Sequence, residues 1–332
     1  MTKRLSTETG QRQRLMLRTA MGPVILAALD DPSVTEVMVN PDGRLWVDRH
    51  GNGRSESGVS VAAAEAERII RLVASHMGQE CHAGRPIVSA ELPEGGERFE
   101  GLLPPVSSAA CFSIRKPAQI LYRLSDYVTA RIMTPLQMTV LREAVAMRQN
   151  IVVIGGTSSG KTTLVNALLA EVATSGDRVI LLEDTRELQC GAEDFVALRT
   201  KPGVATLADL VRSTLRLRPD RIIVGEVRGP EALDMLKAWN TGHPGGITTL
   251  HANSARAGLY RLEQLIQEAV VTVPRPLIAE AIDLVVYLQG RGADRRVETI
   301  AAVAGLTPDG DYKLKSLVPT ALTPVSFPTP VS

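Results

Sequence analysis

The stretch Gly155-Gly156-Thr157-Ser158-Ser159-Gly160-Lys161-Thr162-Thr163 limits what this chain can fold into more than any other part of it. It fits the phosphate-binding pattern G-x-x-x-x-G-K-[ST] at every fixed position. A glycine-rich turn of this kind aims several backbone N–H groups at one anion, and the helix N-terminus behind it adds partial positive charge. Residues 151–154 form an apolar run directly before the loop, and residues 164–172 follow with helical spacing. Strand, loop and helix therefore stand in the required order. The reading is a nucleoside triphosphate site in an open α/β sheet, with Mg²⁺ as its expected companion. Residues 155–163 cradle phosphate, Lys161 reaches the β- and γ-phosphates, and the Thr162 hydroxyl ligates the metal.

Bulk properties narrow the remaining classes. A chain of 332 residues with 44% hydrophobic content has material for two domains with packed cores. Its net charge of +1 gives no strong field for nucleic acid, and 3% aromatic content offers few stacking platforms. Cys81, Cys111 and Cys190 have no metal-ligand spacing and read as reduced thiols. No apolar run approaches the length that spans a bilayer. Residues 22–29 are apolar and follow basic residues, but Asp30-Asp31-Pro32 closes the run. Residues 12–29 read as an amphipathic helix and not as a signal peptide, so the expected location is the cytoplasm.

The pattern divides into an α+β N-terminal domain over residues 1–115, a linker over 116–133, a nucleotide-binding domain over 134–318 and a disordered tail over 319–332. In the first part, strand-like runs at 34–40 and 44–48 flank the turn Pro41-Asp42-Gly43. A helix is expected over 61–77, then strands around 98–103 and 111–115. Thr134-Pro135 opens the second domain as N-cap and first helical residue. Strands at 151–154, 179–182, 221–224, 247–250 and 284–288 alternate with helices near 161–173, 206–217, 230–241 and 254–270. Continuous apolar strands between helices predict a mostly parallel sheet covered on both faces. Residues 297–303 and 312–317 read as a terminal antiparallel pair. The Pro/Thr/Ser-rich tail has too little to bury for an ordered core.

Hydrolysis needs a base or water-positioning group beside the loop. Ligands in such sheets sit beyond the carboxyl ends of the strands. One apolar strand ends in Glu183-Asp184, another in Gly225-Glu226 and a third in Thr249-Leu250-His251. Glu183, Glu226 and His251 are therefore the candidates to face the phosphates. Helix capping and loop solvation are the ordinary alternatives for the acids, and a structural hydrogen bond is the ordinary one for the histidine. Spacing alone does not decide which acid is the base.

Four ordered blocks together resemble the type II/type IV secretion ATPase superfamily, the hexameric traffic ATPases. They are the phosphate loop; Leu181-Leu182-Glu183-Asp184-Thr185-Arg186-Glu187-Leu188; the block from Leu217 to Gly229, with Gly225-Glu226 where an Asp usually stands; and Thr248-Thr249-Leu250-His251-Ala252. Val37-Met38-Val39-Asn40-Pro41-Asp42-Gly43 and Trp239-Asn240-Thr241-Gly242-His243-Pro244-Gly245-Gly246 place the chain nearest the conjugal-transfer members. The resemblance implies a RecA-like core and a ring, usually a hexamer, with ATP between the N-terminal domain and the core. It implies Glu226 as general base, Glu183 as a group ordering metal or water, and His251 as a γ-phosphate sensor. Arg115, and less closely Arg98, match arginines that close over the nucleotide. Arg218 and Arg228 match subunit-interface or switch positions. The implied output is conjugative pilus assembly or type IV secretion, with inner-membrane components as partners and any membrane contact peripheral. Pilus-retraction and type II secretion ATPases share the core motifs. A DNA-dependent motor and a non-hydrolysing scaffold are the readings from other classes. The charge balance argues against direct nucleic-acid binding, and the paired carboxylates argue against a scaffold.

Overall fold

A computed structural model of the chain describes residues 2–49, 52–93, 95–117, 121–201 and 203–318. The chain divides into two compact units, with the boundary between residues 120 and 121. The tail read from 319 onward lies outside the described residues, as do 118–120 within the span read as a linker.

The first unit begins with α1 (Thr2–Asp30), which breaks direction at Gly22 (φ 70°, ψ 172°) just before Pro23. A six-stranded antiparallel sheet follows, in the order β3 (Gly53–Ser60), β2 (Arg44–Arg49), β1 (Val34–Val39), β6 (Cys111–Arg115), β5 (Arg98–Leu102) and β4 (Ile87–Glu91). The turn between β1 and β2 needs a glycine, because Gly43 has φ 81° and a Cβ there would lie 2.8 Å from the Val61 carbonyl. Helix α2 (Ala63–His76) packs Ile69, Ile70 and Val73 into this unit's core, together with Phe99, Phe112 and Ile114. The α+β expectation holds here. Strands β3 and β4 were not anticipated: every residue of β3 but Val59 is exposed, so it carries no hydrophobic alternation to read.

The second unit is built on an eight-stranded sheet. Its order is β14 (Tyr312–Ser316), β13 (Arg296–Leu306), β12 (Leu284–Gln289), β7 (Ile151–Gly155), β11 (Ile247–Leu250), β10 (Arg221–Val224), β8 (Val179–Glu183) and β9 (Phe195–Arg199). The six strands from β12 to β9 run parallel, and β13 and β14 add antiparallel pairs at one edge. Two cores cover the two faces. One packs α6 (Leu207–Thr214), α7 (Glu231–Asn240), α8 (Ala255–Gln267) and α9 (Arg275–Ala281) around Ile154, Ile222 and Leu236. The other packs α4 (Pro135–Ala146) and α5 (Lys161–Val172) around Val153, Leu164 and Leu181. The predicted α/β class, with a P-loop core on a mostly parallel sheet, is the observed one.

The caps follow the sequence signals. The Thr134 hydroxyl accepts from Gln137 N at 3.2 Å while Gln137 Oε1 accepts from Thr134 N at 2.8 Å, a reciprocal capping box. Thr206 caps α6 through Asp209 N, and Ser254 caps α8 through Ala257 N. Within the span read as a linker, Leu124–Thr129 forms α3, with Leu124 and Tyr127 buried in the second unit's core.

Candidate nucleotide site

Strand β7 delivers the chain to the loop. A Cβ on Gly155 would stand 2.4 Å from Ser159 Oγ and 2.9 Å from the Leu288 carbonyl, so only glycine lets the chain turn here. Ser158 (φ 62°) and Gly160 (φ 91°) take left-handed conformations, and α5 starts at Lys161. Ser159 is buried, and its hydroxyl has no hydrogen-bond partner among the described residues. Gly156, Thr157, Ser158 and Gly160 keep some solvent exposure, as do Thr162 and Thr163 on the first turn of α5. The Lys161 ammonium donates to the carbonyls of Gly155 (3.1 Å) and Gly156 (3.0 Å) and lies 3.4 Å from His251 Nδ1.

The neighbouring strand ends bring the predicted acids alongside. Past β10, Gly225 N donates to the Leu182 carbonyl at 2.8 Å, and the Thr249 hydroxyl donates to the Gly225 carbonyl at 2.7 Å. These bonds fix the backbone that carries Glu226. Its Oε1 lies 2.7 Å from His251 Nε2, and its Oε2 accepts from Arg228 Nε at 2.8 Å. Lys161, His251, Glu226 and Arg228 thus form one continuous polar row. Burial lowers the His251 pKa from its ordinary value, and the Lys161 charge lowers it further against the pull of Glu226.

Glu183 sits differently. It is 3% exposed, and its Oε1 accepts from Glu187 N (2.8 Å) and Leu188 N (2.7 Å). Burial raises its pKa despite those two donors. Its carboxyl group therefore folds the segment after β8 into place. Gly225 leaves room for it, since a Cβ there would lie 3.2 Å from Glu183 Cγ. That turn presents Glu187, whose Oε2 accepts from the Thr162 hydroxyl at 3.2 Å. Asn166, one helical turn after Thr162, secures the same segment by donating to the Glu187 carbonyl (3.1 Å) and accepting from Gln189 N (2.9 Å). The sequence reading gave Glu187 no role. The one available signal was on α5, where Asn166 shares a helix face with Thr162.

Arg115 and Arg98 belong to the first unit. They stand directly opposite each other on β6 and β5, in a row that reads Glu36, Arg115, Arg98, Glu91 across four strands. Register partners share one face of a sheet, so the two arginines and the two acids stand on the same face.

No group of three or more His, Cys, Asp and Glu placed to hold a metal ion occurs among the described residues. The three cysteines are unpaired. No helix among the described residues is long and apolar enough to cross a membrane.

Residues 21–290 match the family described as type II/IV secretion system protein. The chain belongs to that family. Conjugal transfer protein TrbB of Rhizobium radiobacter is 50% identical over 291 residues, covering 87% of this chain and 90% of TrbB. The type IV secretion system protein PtlH of Bordetella pertussis is 33% identical, covering 82% of this chain and 91% of PtlH. Among solved structures, the Legionella pneumophila ATPase DotB superposes with a TM-score of 0.57 at 20% identity, covering 89% of this chain and 80% of DotB. The family expected from the four sequence blocks, and the nearness to conjugal-transfer members expected from residues 37–43 and 239–246, agree with these comparisons.

Proposed function

We propose that this chain is a Mg²⁺-dependent ATPase that powers conjugal transfer or type IV secretion by ATP-driven domain motion. The observation that carries the reading is the row Lys161–His251–Glu226 beside a phosphate loop. Lys161 and the loop amides hold the β- and γ-phosphates. Glu226, with one oxygen toward His251, is the general base for the attacking water, and His251 senses the γ-phosphate. Glu226 is preferred to Glu183 as base because Glu183 is buried and already accepts two backbone N–H bonds. Thr162 and Glu187 would hold Mg²⁺, with Glu183 acting on the metal by placing Glu187. When bound, Mg²⁺ supplies positive charge against the phosphate oxygens. Arg115 and Arg98 remain the arginines that the family resemblance matches to nucleotide-closing positions, and a planar guanidinium suits phosphoryl charge.

The working form is a ring, in keeping with the family, and most simply a hexamer. Its partners are inner-membrane components of a conjugation machine, at whose cytoplasmic face it works. The test is ATP turnover with and without Mg²⁺, alone and with single- and double-stranded DNA, using Lys161→Ala as background. Turnover that needs Mg²⁺ and Lys161 and ignores DNA is the expected result. Turnover that rises many-fold only with DNA would make the chain a nucleic-acid motor instead.

A further inference from the structure

The strand-end acids and the histidine assigned to hydrolysis lie on one flank of the phosphate loop. His251 and Glu226 follow β11 and β10, and Glu183 ends β8; these strands succeed one another on one side of β7. On the other side of β7 runs β12, where Leu288 pairs with Gly155 at the mouth of the loop. There the chain doubles back sharply. Gly290 has φ 80°, and a Cβ on it would lie 2.1 Å from the Asp294 carbonyl. A 3-10 turn (Gly292–Asp294) follows, then Arg295. Two bonds pin the next residues: Val297 N donates to the Ile132 carbonyl at 2.7 Å, and Gln137 Nε2 donates to the Val297 carbonyl at 2.8 Å.

This turn lays the Arg295 guanidinium against the loop. Its Cζ and Nε would lie 3.0 Å from a Cβ on Gly160, and its Nη2 stands 3.4 Å from the Ser158 carbonyl. Nε is buried and has no hydrogen-bond partner among the described residues. A half-buried cation with an unused donor, held by a crowded turn, sits beside a phosphate loop on the flank away from the carboxylates. A triphosphate whose γ-phosphate faces Glu226 and His251 must carry its nucleoside towards the opposite end of the loop.

We propose that Arg295 is a nucleotide-contacting residue, engaging the ribose and base of the ATP or ADP that the loop holds. A guanidinium suits that task, since its plane stacks on a heterocycle and its edge donates to hydroxyls and ring nitrogens. The assignment rests on the ATPase reading above, and it adds a contact on the nucleoside where that reading has contacts only on phosphates.

The experiment measures, by calorimetric titration of the full chain, the affinities of ADP, a non-hydrolysable ATP analogue and inorganic tripolyphosphate. Arg295→Ala should weaken ADP and the analogue by about tenfold, the loss of one charged hydrogen-bonding contact, and keep tripolyphosphate within about twofold. Arg295→Lys, which keeps the charge and drops the plane, should recover only part of the ADP affinity. A guanidinium that merely props the loop through Ser158 would weaken all three ligands alike, and that result overturns the proposal. So does ADP binding by Arg295→Ala that stays within about twofold of wild type. Should Arg295→Ala fail to fold, Arg295→Lys decides by the same comparison of ADP with tripolyphosphate. If the unaltered chain binds no nucleotide, or Lys161→Ala binds it equally well, the ATPase reading itself falls, a result distinct from either outcome at Arg295.

Discussion

At the scale of single residues, the two acids that sequence spacing left equivalent have different surroundings. Glu226 faces His251 and Arg228 with both oxygens at the polar row, while Glu183 spends an oxygen on two backbone amides. Glu226→Gln should therefore bind ATP normally and lose at least about a hundredfold in turnover, the usual contribution of a general base. Near-wild-type turnover in that variant would remove Glu226 from the base position. Glu187→Ala tests the metal proposal: the Mg²⁺ concentration for half-maximal turnover should rise, and an unchanged Mg²⁺ dependence would count against Glu187. His251 gives a pH prediction. Its folded pKa lies below the ordinary 6.5, so as pH falls through 6.5 the unfolded chain takes up a proton that the folded chain resists. Stability should thus decline on acidification through that value, and His251→Gln should flatten this part of the profile. Melting curves between about pH 5.5 and 7.5 check it, and parallel slopes for the two proteins would contradict it.

At the scale of elements, legibility followed burial. Strands β7, β8, β10, β11 and β12 are mainly apolar and largely buried, with two buried threonines in β11, and the sequence shows each to within a residue or so. Strand β9 alternates between exposed and half-buried residues at the sheet edge, and α9 spans less than two full turns, so neither leaves a period long enough to read. The site divides the same way. Glu226 and His251 stand just past the ends of legible strands and Lys161 opens the helix after a legible loop, whereas the Thr162–Glu187 contact and the Arg295 approach depend on turns that only the folded backbone defines. Packing between elements is tight enough to test. A Cβ on Gly246 would fall 2.0 Å from the ring of Trp239, whose Nε1 donates to the Ile222 carbonyl at 3.0 Å. Gly246→Ala should cost about 1–3 kcal/mol of stability, the usual cost of overpacking. A chemical-denaturation midpoint equal to wild type would show that α7 yields more easily than its packing implies.

At the scale of the whole molecule, each unit has its own core, so the chain should unfold in two calorimetric steps. A fragment spanning residues 121–318 should melt at one of them, and a single sharp transition of the full chain would contradict the expectation. One feature of the second unit lies at the end of the sheet away from the phosphate loop. There Arg221, 1% exposed, donates from Nε to Asp177 at 2.5 Å and from Nη2 to the Val145 carbonyl at 2.9 Å, while Arg148 pairs with the other oxygen of Asp177. Burial alone would raise the Asp177 pKa, but the Ser175 hydroxyl and the two guanidinium groups outweigh it and hold the pKa down. This cluster ties β10 to the segments before β7 and β8, so losing one partner strands a buried charge. In a cell, the consequence is scarcity: fewer molecules survive quality control, and each survivor works at its normal speed. A genetic screen for failed transfer would return lesions here alongside lesions at Lys161, and only the amount of protein per cell would tell the two apart.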